Sequence, residues 1–197
     1  MSRLVESIRL YNGQFARLSY HQARVDATSR ALYHRVFNWR VEDVLEKLDV
    51  PKEGLHKCRL LYDDQSVQVE VQRYTIRPVR SLKLVTDDEL DYRFKWEERG
   101  RLTSLFETRG VCDDIVIVQR GCITDTYYAN VLLRRRGEWF TPASCLLSGT
   151  MRQWLLDERK IRVEEIRLED IARFESIKLI NALLEWDGPE LDVSDIF

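Results

Sequence analysis

Four groups of residues in this chain of 197 could do chemistry. In "LSYHQARV", Arg24 follows His21 by one helical turn, so both project to one side of a helix. An arginine there could grip a phosphate or a carboxylate through paired hydrogen bonds; a solvated helix face has the same spacing. In "DYRFKWEERG", Lys95 is flanked by Phe94 and Trp96. Apolar company lowers an amine's pKa and makes it a nucleophile for carbonyl carbon. The alternative is a lysine that lays its stem on the rings and keeps its ammonium in water. In "ITDTYYANVLL", Asp125 and Asn130 put polar groups at the mouth of an apolar strand, where they are costly unless satisfied; an Asx turn opening a hairpin would satisfy them. In "TPASCLLSGTMR", Ser148, Gly149 and Thr150 lead into a helix. Small residues there leave N–H groups and the positive dipole end open to an anion, though a Ser or Thr cap uses the same residues.

The elements that must position these groups follow from periodicity. "LVESIRLY" alternates, Asn12-Gly13 is a two-residue hairpin turn, and "QFARLSY" returns. Ser19 is expected to cap a helix from about Tyr20 to Phe37, with Val25, Ala27, Leu32 and Val36 on its buried side. A second helix near Val41–Leu48 must stop before Pro51. "KCRLLY" and "SVQVEVQRY" read as strands joined at Asp63-Asp64-Gln65, and "SLKLVTD" as another. A linker falls near Pro78. Beyond it, "FKWEERGRLTSLFETRG" has helical spacing interrupted at Gly100 and a stop at Gly110. "DIVIVQRG" is a strand and turn, with Tyr127 and Tyr128 on opposite faces of the strand that follows. "YYANVLLRRRGEWFTP" is a hairpin bending at Gly137, "TMRQWLLDERK" a helix, "IRVEEIRL" a strand, "LEDIARF" a short helix and "ESIKLINALL" a strand into a turn. Irregular alternation with strands dominating the second half predicts an α+β fold.

Composition narrows the function. The chain is 44% hydrophobic and 32% charged, enough for a core and no sign of global disorder. A net charge of −2 gives no electrostatic case for nucleic acid. The cysteines at 58, 112, 122 and 145 form no CxxC pair, and with few histidines no zinc pattern arises. Free thiols in a reducing cytoplasm are expected. "MSRLVESIRLYNGQF" lacks the apolar core of a signal peptide and no run reaches membrane-spanning length, so the expected location is cytoplasmic, without membrane contact. The triplet Arg134-Arg135-Arg136 reads as a solvated hairpin end.

Taken in order, the four groups resemble the class IV aminotransferase family, the fold-type IV pyridoxal phosphate enzymes. "LVESIRLYNGQFARLSYHQARV" is similar to the family's opening "FET-R…DG…H-x-x-R-L" and "GCITDTYYANVLL" to "dG-x-v-x-E-x-x-x-x-N-i-f". "WFTPASCLLSGTMRQWLL" is similar to "l-x-TP-x-x-x-x-L-x-G-x-x-R" and "IKLINALL" to a late "f-l-t-N-a-l" strand. The resemblance implies an N-terminal α/β domain over 1–80 and a C-terminal barrel-like domain over 81–197, with pyridoxal 5'-phosphate between them. Lys95 would hold the cofactor and then act as acid and base at the substrate Cα. Arg24 would grip the phosphate, with the backbone at Gly149, Thr150 and Met151 completing its cup. Asp125 would face the pyridine nitrogen, where the family usually has glutamate.

Branched-chain members carry a tyrosine five residues after the lysine; here that position is Gly100, and Arg99 resembles the arginine of "K-x-x-N-R" in lyase-like members. The chain also begins where the family's "D-R-G-L-x-x-G-D-G" segment would end. The resemblance therefore implies an aminodeoxychorismate lyase, which forms 4-aminobenzoate and pyruvate by elimination in folate biosynthesis. An amino acid aminotransferase of branched-chain or D-amino acid type is the alternative within the family, and a catalytically silent binding homologue the alternative of another class. A homodimer acting on a small amino substrate is expected from the family.

Overall fold

The amino-terminal hairpin forms as its turn signal requires. In this computed structural model, which describes residues 3–197, β1 (Leu4–Tyr11) turns at Asn12 and Gly13 into β2 (Gln14–Phe15). Both turn residues have positive φ, 47° and 79°, the conformation whose twist matches that of the flanking strands. The first two residues of the stretch read above for a signal peptide lie outside the described range. β3 (Leu55–Tyr62) pairs antiparallel with β1, and β4 (Val67–Arg73) with β3, giving the order β2-β1-β3-β4. The joint between β3 and β4 is held by the Asp63 carboxylate, which accepts from the N–H groups of Gln65 and Ser66.

Helix α1 (Leu18–Tyr33) sets Val25 into a cluster with Leu4, Ile8, Leu60 and Tyr62. It differs from expectation at both ends. It opens from Arg17 in the left-handed conformation with no side-chain cap, so Ser19 lies inside it. It stops at Tyr33, where His34 turns left-handed at φ 55°, and Phe37 leaves the helix to stack on Trp39 at 5.4 Å and meet Tyr62 edge-on. Helix α2 (Val41–Leu45) follows, ending short of the Leu48 expected.

The chain divides into two units. The first holds the sequence up to Ile76 together with Phe94–Glu98; the second holds Arg77–Arg93 and Arg99–Phe197. The division thus falls after Ile76 rather than between residues 80 and 81. The short segment around Lys95 joins the first unit because it runs beside β1: the Val5 N–H donates to the Lys95 carbonyl at 2.9 Å and the Glu97 N–H to the Arg3 carbonyl at 2.8 Å.

The second unit contains β5 (Leu82–Thr86), α3 (Gly100–Glu107), β6 (Asp114–Gln119), β7 (Cys122–Thr126), β8 (Asn130–Arg135), β9 (Glu138–Pro142), α4 (Thr150–Asp157), β10 (Arg162–Glu164), β11 (Ser176–Ile180) and β12 (Glu190–Asp192). β5 with β6, and β9 with β10, are parallel; the other pairs are antiparallel. Pairing runs in a closed circuit: β5-β6-β7-β8-β11-β12, then back to β5 through Phe197, whose N–H donates to Leu82 O at 2.8 Å while its carbonyl accepts from Leu84 N at 2.7 Å. That closure is the barrel-like character the family resemblance implied.

Period-two alternation sorts the strand residues into opposite faces. On β6, Val116 and Val118 join Val131, Leu133 and Ile177 in one core, while Ile115 and Ile117 pack with Leu102 and Leu105 of α3. On β8, Leu132 turns the other way, toward Met151 and Leu155 of α4. α3 and α4 are therefore fixed by outward-facing residues of the circuit. Tyr127 and Tyr128, expected as strand positions, form a bend between β7 and β8 instead.

Among the described residues, no helix is long and apolar enough to cross a membrane and no cluster of His, Cys, Asp and Glu could hold a metal. The four cysteines carry no disulfide.

Candidate functional site

The sequence-predicted residues fall into two groups. Arg24 and Lys95 belong to the first unit; Asp125, Gly149, Thr150 and Met151 belong to the second.

In the first unit, Arg24 is fixed by a residue that the sequence reading did not single out. Glu6 on β1 is fully buried, and the Arg24 guanidinium clasps it with both prongs, Nε to Oε1 at 2.9 Å and Nη2 to Oε2 at 2.6 Å. His21, one turn before Arg24 on α1, sets Nδ1 at 2.6 Å from the same Oε2. Burial pushes the Glu6 carboxyl up, but the Arg24 charge and the hydrogen bonds from His21 and Arg24 outweigh it and hold it at about 2. Burial pushes His21 down from 6.5, against the pull of Glu6. His21 is thus neutral at pH 7, with its proton on Nδ1 facing the carboxylate, and its buried Nε2 has no partner. Leu4, Glu6, Ile8 and Leu10 share one strand face, so a carboxylate at inward parity was the available signal.

Lys95 sits half-buried on the segment beside β1, its carbonyl held by the Val5 N–H. Its neighbours Phe94 and Trp96 meet edge to face at 6.2 Å. Both rings pack against the cluster that holds Leu4 and Ile8.

In the second unit, the Asp125 question resolves into a lock. Asp125 does not open a turn: it lies within β7, paired across the ladder with Asn130 on β8. Its Oδ2 accepts from the backbone N–H groups of Leu146 and Leu147 at 2.9 and 3.0 Å, and its Oδ1 accepts from Asn130 Nδ2 at 2.8 Å. Asn130 Nδ2 donates a second bond, to Leu147 O at 2.8 Å. The other amide atom, Oδ1, lies where a side chain at residue 149 would begin: a Cβ built on Gly149 would stand 1.9 Å from it. Gly149 is therefore required by a close approach, and it is also the N-cap of α4.

Burial raises the Asp125 carboxyl to about 6, against the hydrogen bonds of Leu147, Asn130 and Leu146 and the charge of Arg152. At pH 7 it is mostly ionised. A carboxylate has about four acceptor positions, and the three bonds from Leu146, Leu147 and Asn130 leave one.

Helix α4 has no side-chain cap. The Thr150 hydroxyl, which could have capped it, is buried without a hydrogen-bond partner. Thr150 as a whole is 3% exposed. An orphaned buried hydroxyl beside uncapped helix N–H groups is a donor set short of an anion. Met151 contributes only its backbone there, because its side chain packs against Leu132 and Leu155. The residues fit pyridoxal phosphate at both its ends: donors for the phosphate at Thr150, and an ionised carboxylate with one acceptor position left at Asp125.

Three comparisons bear on this arrangement. Residues 101–187 match the family model for class IV amino-transferases. An uncharacterised protein from Haemophilus influenzae Rd is 34% identical over 188 residues, covering 93% of this chain and 98% of that protein. The crystal structure of a protein from Haemophilus somnus 129PT, provisionally named a 4-amino-4-deoxychorismate lyase, is 33% identical with a TM-score of 0.89, covering 94% of this chain and 98% of that one. A Mesorhizobium loti structure, provisionally named an amino-acid aminotransferase, shares the fold over 100% of both chains at 21% identity and a TM-score of 0.83.

Proposed function

This chain belongs to the class IV aminotransferase family of pyridoxal phosphate enzymes, and from that premise we propose that it is an aminodeoxychorismate lyase, releasing pyruvate and 4-aminobenzoate. The observation that carries the cofactor assignment is the buried, partnerless Thr150 hydroxyl at the uncapped start of α4. When bound, the cofactor supplies an electron sink for the charge that develops at the substrate Cα. Thr150 Oγ1 and the N–H groups of Gly149, Thr150 and Met151 would hold the phosphate; Arg24, whose guanidinium Glu6 orients, is the phosphate-gripping arginine that the family resemblance implies. Asp125, mostly ionised at neutral pH, would meet the ring nitrogen. Lys95 Nζ would hold the cofactor and move the proton at the substrate Cα. The 33% identity to the Haemophilus somnus protein, Gly100 in place of a tyrosine and Arg99 four residues after the lysine support the lyase over transamination. A cytoplasmic homodimer is part of the proposal, and sedimentation reads its stoichiometry.

Purified protein mixed with pyridoxal phosphate develops a visible absorbance band that borohydride bleaches, leaving a mass adduct on the Lys95 peptide. Lys95→Ala develops none. A colourless wild type, or an adduct on another lysine, refutes the cofactor assignment. Formation of 4-aminobenzoate from aminodeoxychorismate supports the lyase. A new keto acid from amino acids with 2-oxoglutarate, without 4-aminobenzoate, refutes it.

A further inference from the structure

Arg99 opens the approach to α3, and its guanidinium is walled by rings: its Cζ lies 4.4 Å from the centre of the Tyr127 ring and 5.4 Å from that of Tyr92. One prong, Nη2, donates to the Tyr127 carbonyl. Nε is buried with no acceptor, and among the described residues no carboxylate pairs with this arginine. Other arginines of this unit behave otherwise. Arg101 is clasped by Asp87 at 2.5 and 2.6 Å, and Arg135 by Glu164 at 2.8 Å through both prongs. Arg99 as a whole is half-buried, and a buried N–H left unsatisfied costs free energy until an acceptor reaches it.

The surroundings indicate what that is. Two rings lie against the guanidinium, and the plane of its fork is the direction in which arginine pairs with a carboxylate. Phe106 stacks on Tyr127 at 4.4 Å and widens the aromatic surface beside the charge. We infer that Arg99 is a binding residue for the ring carboxylate of a planar acid, with Tyr127 and Tyr92 fixing the guanidinium and offering aromatic surface to the ring. The inference rests on the lyase reading above, whose product is such an acid.

Wild-type protein is titrated with 4-aminobenzoate and with its neutral counterpart 4-aminobenzamide by calorimetry. The acid binds roughly tenfold or more tighter than the amide, the ratio expected for one charge-assisted pair. In Arg99→Gln the two bind alike. In Arg99→Lys, which keeps the charge and loses the fork, the preference shrinks without vanishing. Equal affinities in wild type, no binding of either compound, or a preference that survives Arg99→Gln overturns the inference. Should Arg99→Gln fail to fold, the wild-type pair and Arg99→Lys decide, and an undiminished preference in Arg99→Lys overturns it. Borohydride trapping on Lys95 reports the cofactor reading separately, so a trapped wild type with no acid preference sinks this inference alone.

Discussion

Gly149→Ala is the most direct probe of the second unit. The added Cβ would stand 1.9 Å from Asn130 Oδ1, and no real Cβ contact is that short, so the amide must move by about an ångström or more. Asn130 is buried at 6% exposure and has little space to yield without rotating its amide. Rotation breaks two bonds from Nδ2, one to the Asp125 carboxylate and one to Leu147 O, each 2.8 Å. A hydrogen bond to a charged group contributes about 1.5–3 kcal/mol and a neutral one about 0.5–1.5. Gly149→Ala is therefore expected to destabilise the cofactor-free protein by about 2–4 kcal/mol, lowering the melting temperature by roughly 5–15 °C for a chain of this size. The control is a double-mutant cycle. In Asn130→Ala the obstructing oxygen is gone, so adding Gly149→Ala should cost under about 1 kcal/mol. Melting temperatures of the four proteins complete the measurement. Equal costs of Gly149→Ala in both backgrounds, or a cost near zero in wild type, would show that Asn130 is not what reserves the glycine.

Thr150→Val removes a hydroxyl that has no partner, so the cofactor-free protein should lose less than about 1 kcal/mol while the Kd for pyridoxal phosphate rises roughly tenfold; a large loss of stability with unchanged affinity would show that the hydroxyl is structural. Glu6, depressed from 4.5 to about 2, contributes stability that is present above 4.5 and lost as pH falls toward 2, on the order of 3 kcal/mol. Glu6→Gln should remove that acid-side slope from the unfolding free energy and weaken cofactor binding through Arg24; a slope unchanged in the variant refutes the assignment. Asp125, raised from 3.8 to about 6, has the opposite sign: the folded protein holds its proton more tightly, so its contribution falls as pH rises from 3.8 to 6. The stability difference between wild type and Asp125→Asn should shift against wild type by up to about 3 kcal/mol across that window, and a pH-independent difference refutes it.

The elements that local pattern could mark were legible: the hairpins at Gly13 and Gly137, and the helix opening at Gly149. Their partners were not. Read locally, Asp125 suggested an Asx turn, beside the cofactor role that the resemblance implied, yet it accepts from N–H groups 21 and 22 residues away. No local pattern encodes that distance. Helix α1 was misplaced at its ends because Arg17 and His34 adopt left-handed backbone without the glycine or asparagine that usually marks it. Glu6 was missed although its parity was visible: the strand pattern that buried Leu4 and Ile8 buried it too, and only a cation on a facing element makes that tolerable.

Asn130 changes meaning most between sequence and structure. One carboxamide holds the Asp125 carboxylate with its nitrogen and crowds the N-cap of α4 with its oxygen. The carboxylate in turn grips the N–H groups of Leu146 and Leu147, a few residues ahead of Thr150. The acceptor proposed for one end of the cofactor and the donors proposed for the other therefore belong to one hydrogen-bonded body inside a single unit. A shift of the segment into α4 pulls on the Asp125 carboxylate, and protonating Asp125 weakens the bonds that hold that segment. Where the resemblance leads one to expect glutamate, the shorter arm of aspartate keeps the carboxylate close to β7, within reach of Asn130 across the ladder, and the three bonds it accepts leave one acceptor position open.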